Sequence, residues 1–139
     1  MPRKVVVIGG VALGPKAACR LKRLEPDAQV ILVDRGEKIS YGGCGIPFYI
    51  SGEVSDAAEL QSTSFHMLRD QAFFRDTKDI EAHNNTEALS IDRAAKTVRV
   101  RHLPSGAEEG CLVYGLHDFT AWGLPWQGPR GRCGACSSR

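Results

Sequence analysis

The chain has 139 residues, a length that suits one domain or a part of one. Its hydrophobic content of 42% is ordinary for a globular protein, and a formal charge of +2 with scattered basic residues offers no case for nucleic-acid binding. No apolar run approaches the roughly 20 residues of a membrane span. The opening MPRKVVVIGG lacks the apolar core and cleavage site of a signal peptide, so a cytoplasmic protein is the expectation. Five cysteines, an odd number with no secretory signal, argue against a disulfide scaffold.

Lys4–Ile8 is a β-branched run that reads as a buried parallel strand. Gly9 and Gly10 follow it, Gly14 closes the turn, and Pro15 suits the first turn of a helix. The pattern from Lys16 to Leu24 predicts that helix, with Ala17, Ala18, Leu21 and Leu24 on one face. Gln29–Val33 predicts a second strand with Asp34 at its end. Strand, glycine turn, helix and second strand form the layout of a dinucleotide fold. The helix N-terminus offers free N–H groups to a pyrophosphate, and an acid at Asp34 suits ribose hydroxyls. Gly9 and Gly14 hold the first and third places of G-x-G-x-x-G, and Val11 stands in the second. An α/β turn that binds no phosphate is the plainer alternative.

Ile39–Gly52 reads ISYGGCGIPFYISG. Cys44 sits among Gly42, Gly43 and Gly45, small neighbours that leave its sulfur open to close approach. The N–H groups opening a following helical segment would favour the thiolate. A purely structural cysteine is the alternative. No second thiol lies four or five residues on, where Phe48 and Tyr49 stand.

The GGVAxG turn, Asp34-Arg35-Gly36 and the Ile-Ser-aromatic-x-x-Cys-Gly-aliphatic-Pro-aromatic-Tyr block resemble one branch of the pyridine nucleotide-disulfide oxidoreductases. That branch holds the coenzyme A-disulfide reductases, persulfide reductases, and NADH oxidases and peroxidases. The likeness covers about the first 110 residues, and Val11 matches the family's own usage. It implies a Rossmann-like α/β FAD-binding domain, a parallel sheet with a β-meander. It further implies FAD held by Gly9, Gly10, Val11, Ala12, Gly14, Asp34, Arg35 and Ala88, the last at the adenine. Cys44 would be the nucleophile and redox centre, with no metal.

The resemblance also implies substrate contacts at Lys16, Arg20, Arg23, Ser40, Gly43 and Lys78, with the substrate a coenzyme A disulfide, a persulfide or a peroxide. Arg20 and Arg23 suit phosphates physically, although a solvated helix face would look the same. The family usually carries Asn where Gly43 stands. Cys19 is expected to pack as a small helix residue.

Downstream, Glu53–Ser64 is expected to be loop with helical pieces, and His66–Arg75 an amphipathic helix. Asp79–Ala82 begins a strand, Thr86–Ile91 continues the pattern, and 91–100 forms a hairpin whose second strand, TVRVRHL, alternates strictly. Ser105-Gly106 marks the next turn.

After Tyr114 the chain changes character. Gly115–Arg139 has both tryptophans, many glycines and no periodicity. Dropping one base after the Tyr114 codon permits Gly-Ala-Ser-Pro-Gly-Lys-Ala-Pro in place of the stretch from Trp122. That restores the glycine turn and proline-rich exit that the family carries. The expectation is therefore residues 1–114 as the N-terminal part of an FAD-binding domain and 115–139 as an out-of-frame tail. Cys133 and Cys136 then carry no meaning, and two cysteines alone do not close a zinc site.

Two functions of different class follow. One is an FAD-dependent NAD(P)H:disulfide oxidoreductase, with NAD(P)H and the family's homodimerisation served only by the intact, longer enzyme. The other is an inactive remnant, or a nucleotide-binding module without catalysis.

Overall fold

In the computed structural model, residues 3–105 and the strand 108–112 are described. The expected boundary at Tyr114, the tail 115–139 with Cys133 and Cys136, and Gly106 of the expected turn lie outside the described residues.

β1 (Lys4–Ile8) runs into the glycine turn, α1 (Leu13–Leu24) follows, and β2 (Gln29–Val33) lies parallel to β1 in unbroken register from Lys4↔Gln29 to Ile8↔Val33. α1 starts one turn earlier than its apolar pattern predicts. Gly14 and Pro15 fit inside its first turn, where the N–H that proline lacks would have no intrahelical partner anyway. Ala18 is fully buried and Leu21 packs against the core, whereas Leu24, the last helical residue, is exposed. A 3₁₀ turn (Gly43–Gly45) leads into the short α2 (Ile46–Ile50), and a second 3₁₀ segment covers Ala57–Gln61.

The helix expected over His66–Arg75 is displaced. α3 spans Gln71–Lys78, and His66 has a left-handed φ of 59°. Asp70 is extended, and its carboxylate accepts the Phe73 amide at 2.9 Å, which caps the helix one residue before Gln71. The Asp70 cap outweighs the apolar spacing of Met67 and Leu68, which stay exposed. Asp79 ends α3 in a left-handed conformation, and the Ile80 amide returns to the Phe74 carbonyl at 3.0 Å. β3 therefore begins at Glu81 and runs to His83, parallel to β2.

The sheet order is β1-β2-β3. β4 (Thr86–Asp92) does not extend that sheet. It starts an antiparallel meander with β5 (Thr97–His102) and β6 (Glu108–Leu112). Three layers result. On one face of the parallel sheet, Val5, Val7, Val30 and Leu32 pack with Ala18 of α1 and Phe74 of α3. On the other, Val6, Ile31 and Val33 pack with Val98 and Val100 of β5. The strict alternation of β5 thus does what the sequence predicts, and each such buried side chain is worth about 1.5–3 kcal/mol. No helix among the described residues is long and apolar enough to cross a membrane.

Candidate functional site

The glycine turn is held by the core beneath it. Gly9 has φ +106°, a conformation side chains rarely adopt, and its amide donates to the Val33 carbonyl at 2.8 Å. A Cβ on Gly14 would stand 1.7 Å from the Gly9 carbonyl oxygen, so only glycine lets α1 start against the end of β1. No side chain caps α1 at Ala12, and its first turn contains no acidic residue. The helix therefore offers its unpaired N–H groups and positive dipole end without an internal anion to compensate them.

Asp34 is the hub of this end of the sheet. One carboxylate oxygen accepts the Gly10 amide at 2.5 Å and the other the Gly36 amide at 2.6 Å. A carboxylate has about four acceptor positions, so room remains for a further donor on each oxygen. Arg35 is exposed beside it. Ser40 is buried and left-handed (φ 55°), and its amide donates to the Gly10 carbonyl at 2.6 Å. Gly10 therefore joins Asp34 on one side and Ser40 on the other.

Four residues beyond Ser40 the chain reaches Cys44, whose Cα can lie at most about 14 Å from that of Ser40. Cys44 is exposed, in the 3₁₀ turn just ahead of α2, as the glycine-rich context anticipates. A Cβ on Gly43 would meet nothing within 4 Å, so the approach past that position is open. The turn is anchored at one point: the Gly42 amide donates to the Leu60 carbonyl at 2.6 Å. Leu60 is in turn fixed through its neighbour. The Gln61 side-chain amide donates to the Ile39 carbonyl at 2.9 Å, and Arg69 clamps the carbonyls of Gln61 and Ser62 at 3.2 and 2.9 Å. Leu60, Gln61 and Arg69 escaped the sequence reading because their partners are backbone groups up to 22 residues away.

Lys16, Arg20 and Arg23 all lie exposed on α1, and Lys78 lies exposed on α3. The Lys78 ammonium sits over the Phe73 ring, 5.5 Å from its centroid. Arg23 and Lys78 converge electrostatically on Cys19. Partial burial raises that thiol's pKa above the ordinary value, and the two cations oppose the shift without overcoming it. Cys19 packs against the core, as expected of a small helix residue. Ala88 is half-buried against the second core cluster, at the bulge where the β4–β5 register shifts. No group of three or more potential metal ligands forms among the described residues.

The family model for pyridine nucleotide-disulphide oxidoreductases matches residues 3–113. An NAD(P)H coenzyme A polysulfide/persulfide reductase of Pyrococcus horikoshii is 34% identical over 114 residues, which is 82% of this chain and 24% of that one. A coenzyme A disulfide reductase of Staphylococcus haemolyticus is 26% identical over 98 residues, 70% of this chain and 21% of that one. The solved structure of an NAD-dependent persulfide reductase from A. fulgidus superimposes with a TM-score of 0.76 at 40% identity, over 80% of this chain and 20% of the other. The chain spans about a quarter of the length of the curated relatives it matches. The three-layer fold and the match over residues 3–113 place the chain in the pyridine nucleotide-disulphide oxidoreductase family, in the branch of the coenzyme A-disulfide and persulfide reductases and NADH oxidases.

Proposed function

We propose that these residues are the FAD-binding and thiol-bearing part of an NAD(P)H-dependent disulfide oxidoreductase with Cys44 as its single redox cysteine. The observation that carries this reading is the pair of bonds at Gly10, which ties the nucleotide-type turn to Asp34 and to the segment leading to Cys44. The residues fit FAD. The uncapped start of α1 at Val11, Ala12 and Leu13 suits its pyrophosphate, Gly9, Gly10 and Gly14 give the backbone approach, and Asp34 retains acceptor positions for a ribose. Arg35 and the backbone of Ala88 would flank the nucleoside. Bound FAD would supply two-electron transfer between a nicotinamide and a disulfide.

The protein's own part is thiol–disulfide exchange. The Cys44 thiolate attacks one sulfur of a coenzyme A disulfide, the new Cys44–S–S–CoA bond forms as the old S–S bond breaks, and one coenzyme A thiolate leaves with the electron pair. Lys16, Arg20, Arg23 and Lys78 offer four cations to the phosphates of such a substrate, with Ser40 and Gly43 beside the reacting turn. A persulfide or peroxide would meet the same sulfur.

The test uses the whole chain. Incubation with coenzyme A disulfide should add one coenzyme A, by mass, at Cys44, and Arg20→Ala with Arg23→Ala should slow the reaction severalfold. A Cys44 that stays unmodified while small alkylating reagents reach it would overturn the reading. Catalytic turnover with NADH is not expected from these 139 residues, which carry one dinucleotide fingerprint. We further propose that 115–139 is read in a shifted frame. The family match ends at residue 113, next to where the sequence changes character, which supports that reading. Resequencing the gene across the Tyr114 codon decides it.

A further inference from the structure

Three of the five residues between Ser40 and Ile46 are glycines, which cost the most backbone entropy to order. The turn they form with Cys44 leans on Leu60. The Gly42 amide donates to the Leu60 carbonyl at 2.6 Å, and a Cβ on Gly45 would stand 2.5 Å from the Leu60 Cδ2. Leu60 therefore meets the turn on both sides of the cysteine. Its neighbour Gln61 is only 7% exposed, and the Gln61 Nε2 donates to the Ile39 carbonyl at 2.9 Å. Leu60 and Gln61 together span the segment from Ile39, just before Ser40, to Gly45, just after Cys44.

Arg69 locks this pair in place. Its backbone amide and Nε both donate to the Gln61 carbonyl, at 3.0 and 3.2 Å, and its Nη2 donates to the Ser62 carbonyl at 2.9 Å. The Arg69 carbonyl in turn accepts Gln61 Nε2 at 3.4 Å. A guanidinium holds its donors in a rigid fork, which suits two successive carbonyls. The loop between the two residues closes on itself, with Ser62 bridged to Leu68 and the Thr63 amide donating to the Met67 carbonyl at 2.8 Å. Phe65, Met67 and Leu68 are exposed, so apolar burial contributes little to that closure and hydrogen bonding carries it.

We propose that Gln61 and Arg69 are positioning residues for Cys44. Their clasp sets the Leu60 carbonyl and side chain against which the cysteine turn is aligned, and so fixes the sulfur relative to Ser40 and to the cations on α1 and α3. This rests on the reading of Cys44 as the thiol that attacks a coenzyme A disulfide. Such a substrate must place its phosphates at the cations and its disulfide at the sulfur together, so the alignment of the turn enters its rate. A small disulfide without phosphates needs only an exposed sulfur, and Cys44 offers that in any alignment. The clasp therefore governs selectivity between disulfides rather than the bare reactivity of the thiol.

The test compares the 139-residue chain with Gln61→Met, Arg69→Met and Arg69→Lys, by mixed-disulfide formation at Cys44 and residue-resolved amide exchange. The two disulfides are coenzyme A disulfide and bis(2-hydroxyethyl) disulfide. Each Met variant should lower the ratio of the two rates at least ~threefold, with the rate on the small disulfide nearly unchanged. The Gly42 amide should exchange at least ~tenfold faster, while Val5 and Val30 stay slow. Arg69→Lys, which keeps a cationic donor, should recover part of both effects. An unchanged ratio overturns the proposal, whether or not Gly42 loosens. So does a loss confined to Arg69→Met, because Gln61→Met removes no charge and Arg69 would then be binding phosphate itself. Core amides that quicken in both Met variants also overturn it, since the clasp would be holding the fold and not the turn. A parent chain with no preference for coenzyme A disulfide removes the substrate reading first, and with it the selectivity that the clasp is proposed to set.

Discussion

The glycine turn and the cysteine turn lie close along the chain and are built on opposite principles. At the first, Gly9, Gly10 and Gly14 are each crowded or strained, bonded to β2 and Asp34, and set on a buried core. At the second, Gly43 stands in open space, Cys44 is exposed, and α2 leaves Ile46, Phe48, Tyr49 and Ile50 uncovered. The nucleotide turn is made by this stretch of chain alone, because the parallel sheet that shapes it is complete around β2. The cysteine turn is held by one hydrogen bond to Leu60, and most of its apolar surface has no covering element among the described residues.

Substitutions should reproduce that contrast, and the largest effect belongs to Gly14→Val. A Cβ there meets a backbone oxygen that cannot yield without moving β1 or α1, so a loss of about 3 kcal/mol or more is expected in urea denaturation. An unchanged midpoint would show that the turn is looser than its contacts indicate. Asp34→Ala leaves the Gly10 and Gly36 amides without their charged acceptor and should cost about 2 kcal/mol in the same assay. Gly45→Ala would bring a Cβ within 2.5 Å of the Leu60 Cδ2 methyl, the far end of a flexible side chain. The expected cost is about 1 kcal/mol, relieved by Leu60→Ala in a double-mutant cycle. Gly43→Ala meets nothing, and its midpoint should stay within about 0.5 kcal/mol of the parent.

Cys19 and Cys44 sharpen the same comparison chemically. Burial raises the Cys19 pKa and keeps that thiol protonated through neutral pH, whereas Cys44 is exposed. Iodoacetamide followed by peptide mapping should label Cys44 at least ~tenfold faster at pH 7. The gap should narrow as pH rises and Cys19 ionises. The sign for stability is the same. A folded-state pKa above the unfolded value favours the fold at low pH, and this contribution fades as pH climbs through the alkaline thiol range. Equal labelling at pH 7 would erase the distinction between the turns.

Much of the fold is legible in the sequence. Lys4–Ile8 and Gln29–Val33 announce buried strands by composition, and TVRVRHL announces a half-buried one by alternation. Both signals are local, and all three strands form there, the third ending one residue early at His102. The helix expected from His66 starts only at Gln71: apolar spacing continues through Met67 and Leu68, but the Asp70 side chain, a cap of one hydrogen bond, sets the start. Thr86–Ile91 forms a strand as its pattern predicts, within the β-meander that the family resemblance implies. β4 leaves the parallel sheet for the meander, and local pattern cannot distinguish a strand's choice of partner.

The βαβ unit, the glycine turn with its acid, the lone cysteine of the Ile39–Gly52 stretch and the family are all readable from residues close together along the chain. Packing alone links Gly10 to Asp34 and Ser40, lets Leu60 hold the cysteine turn, and brings Lys78 and Arg23 into the surroundings of Cys19. Those facts depend on packing between segments up to about 60 residues apart, where backbone groups with no sequence signature make the contacts.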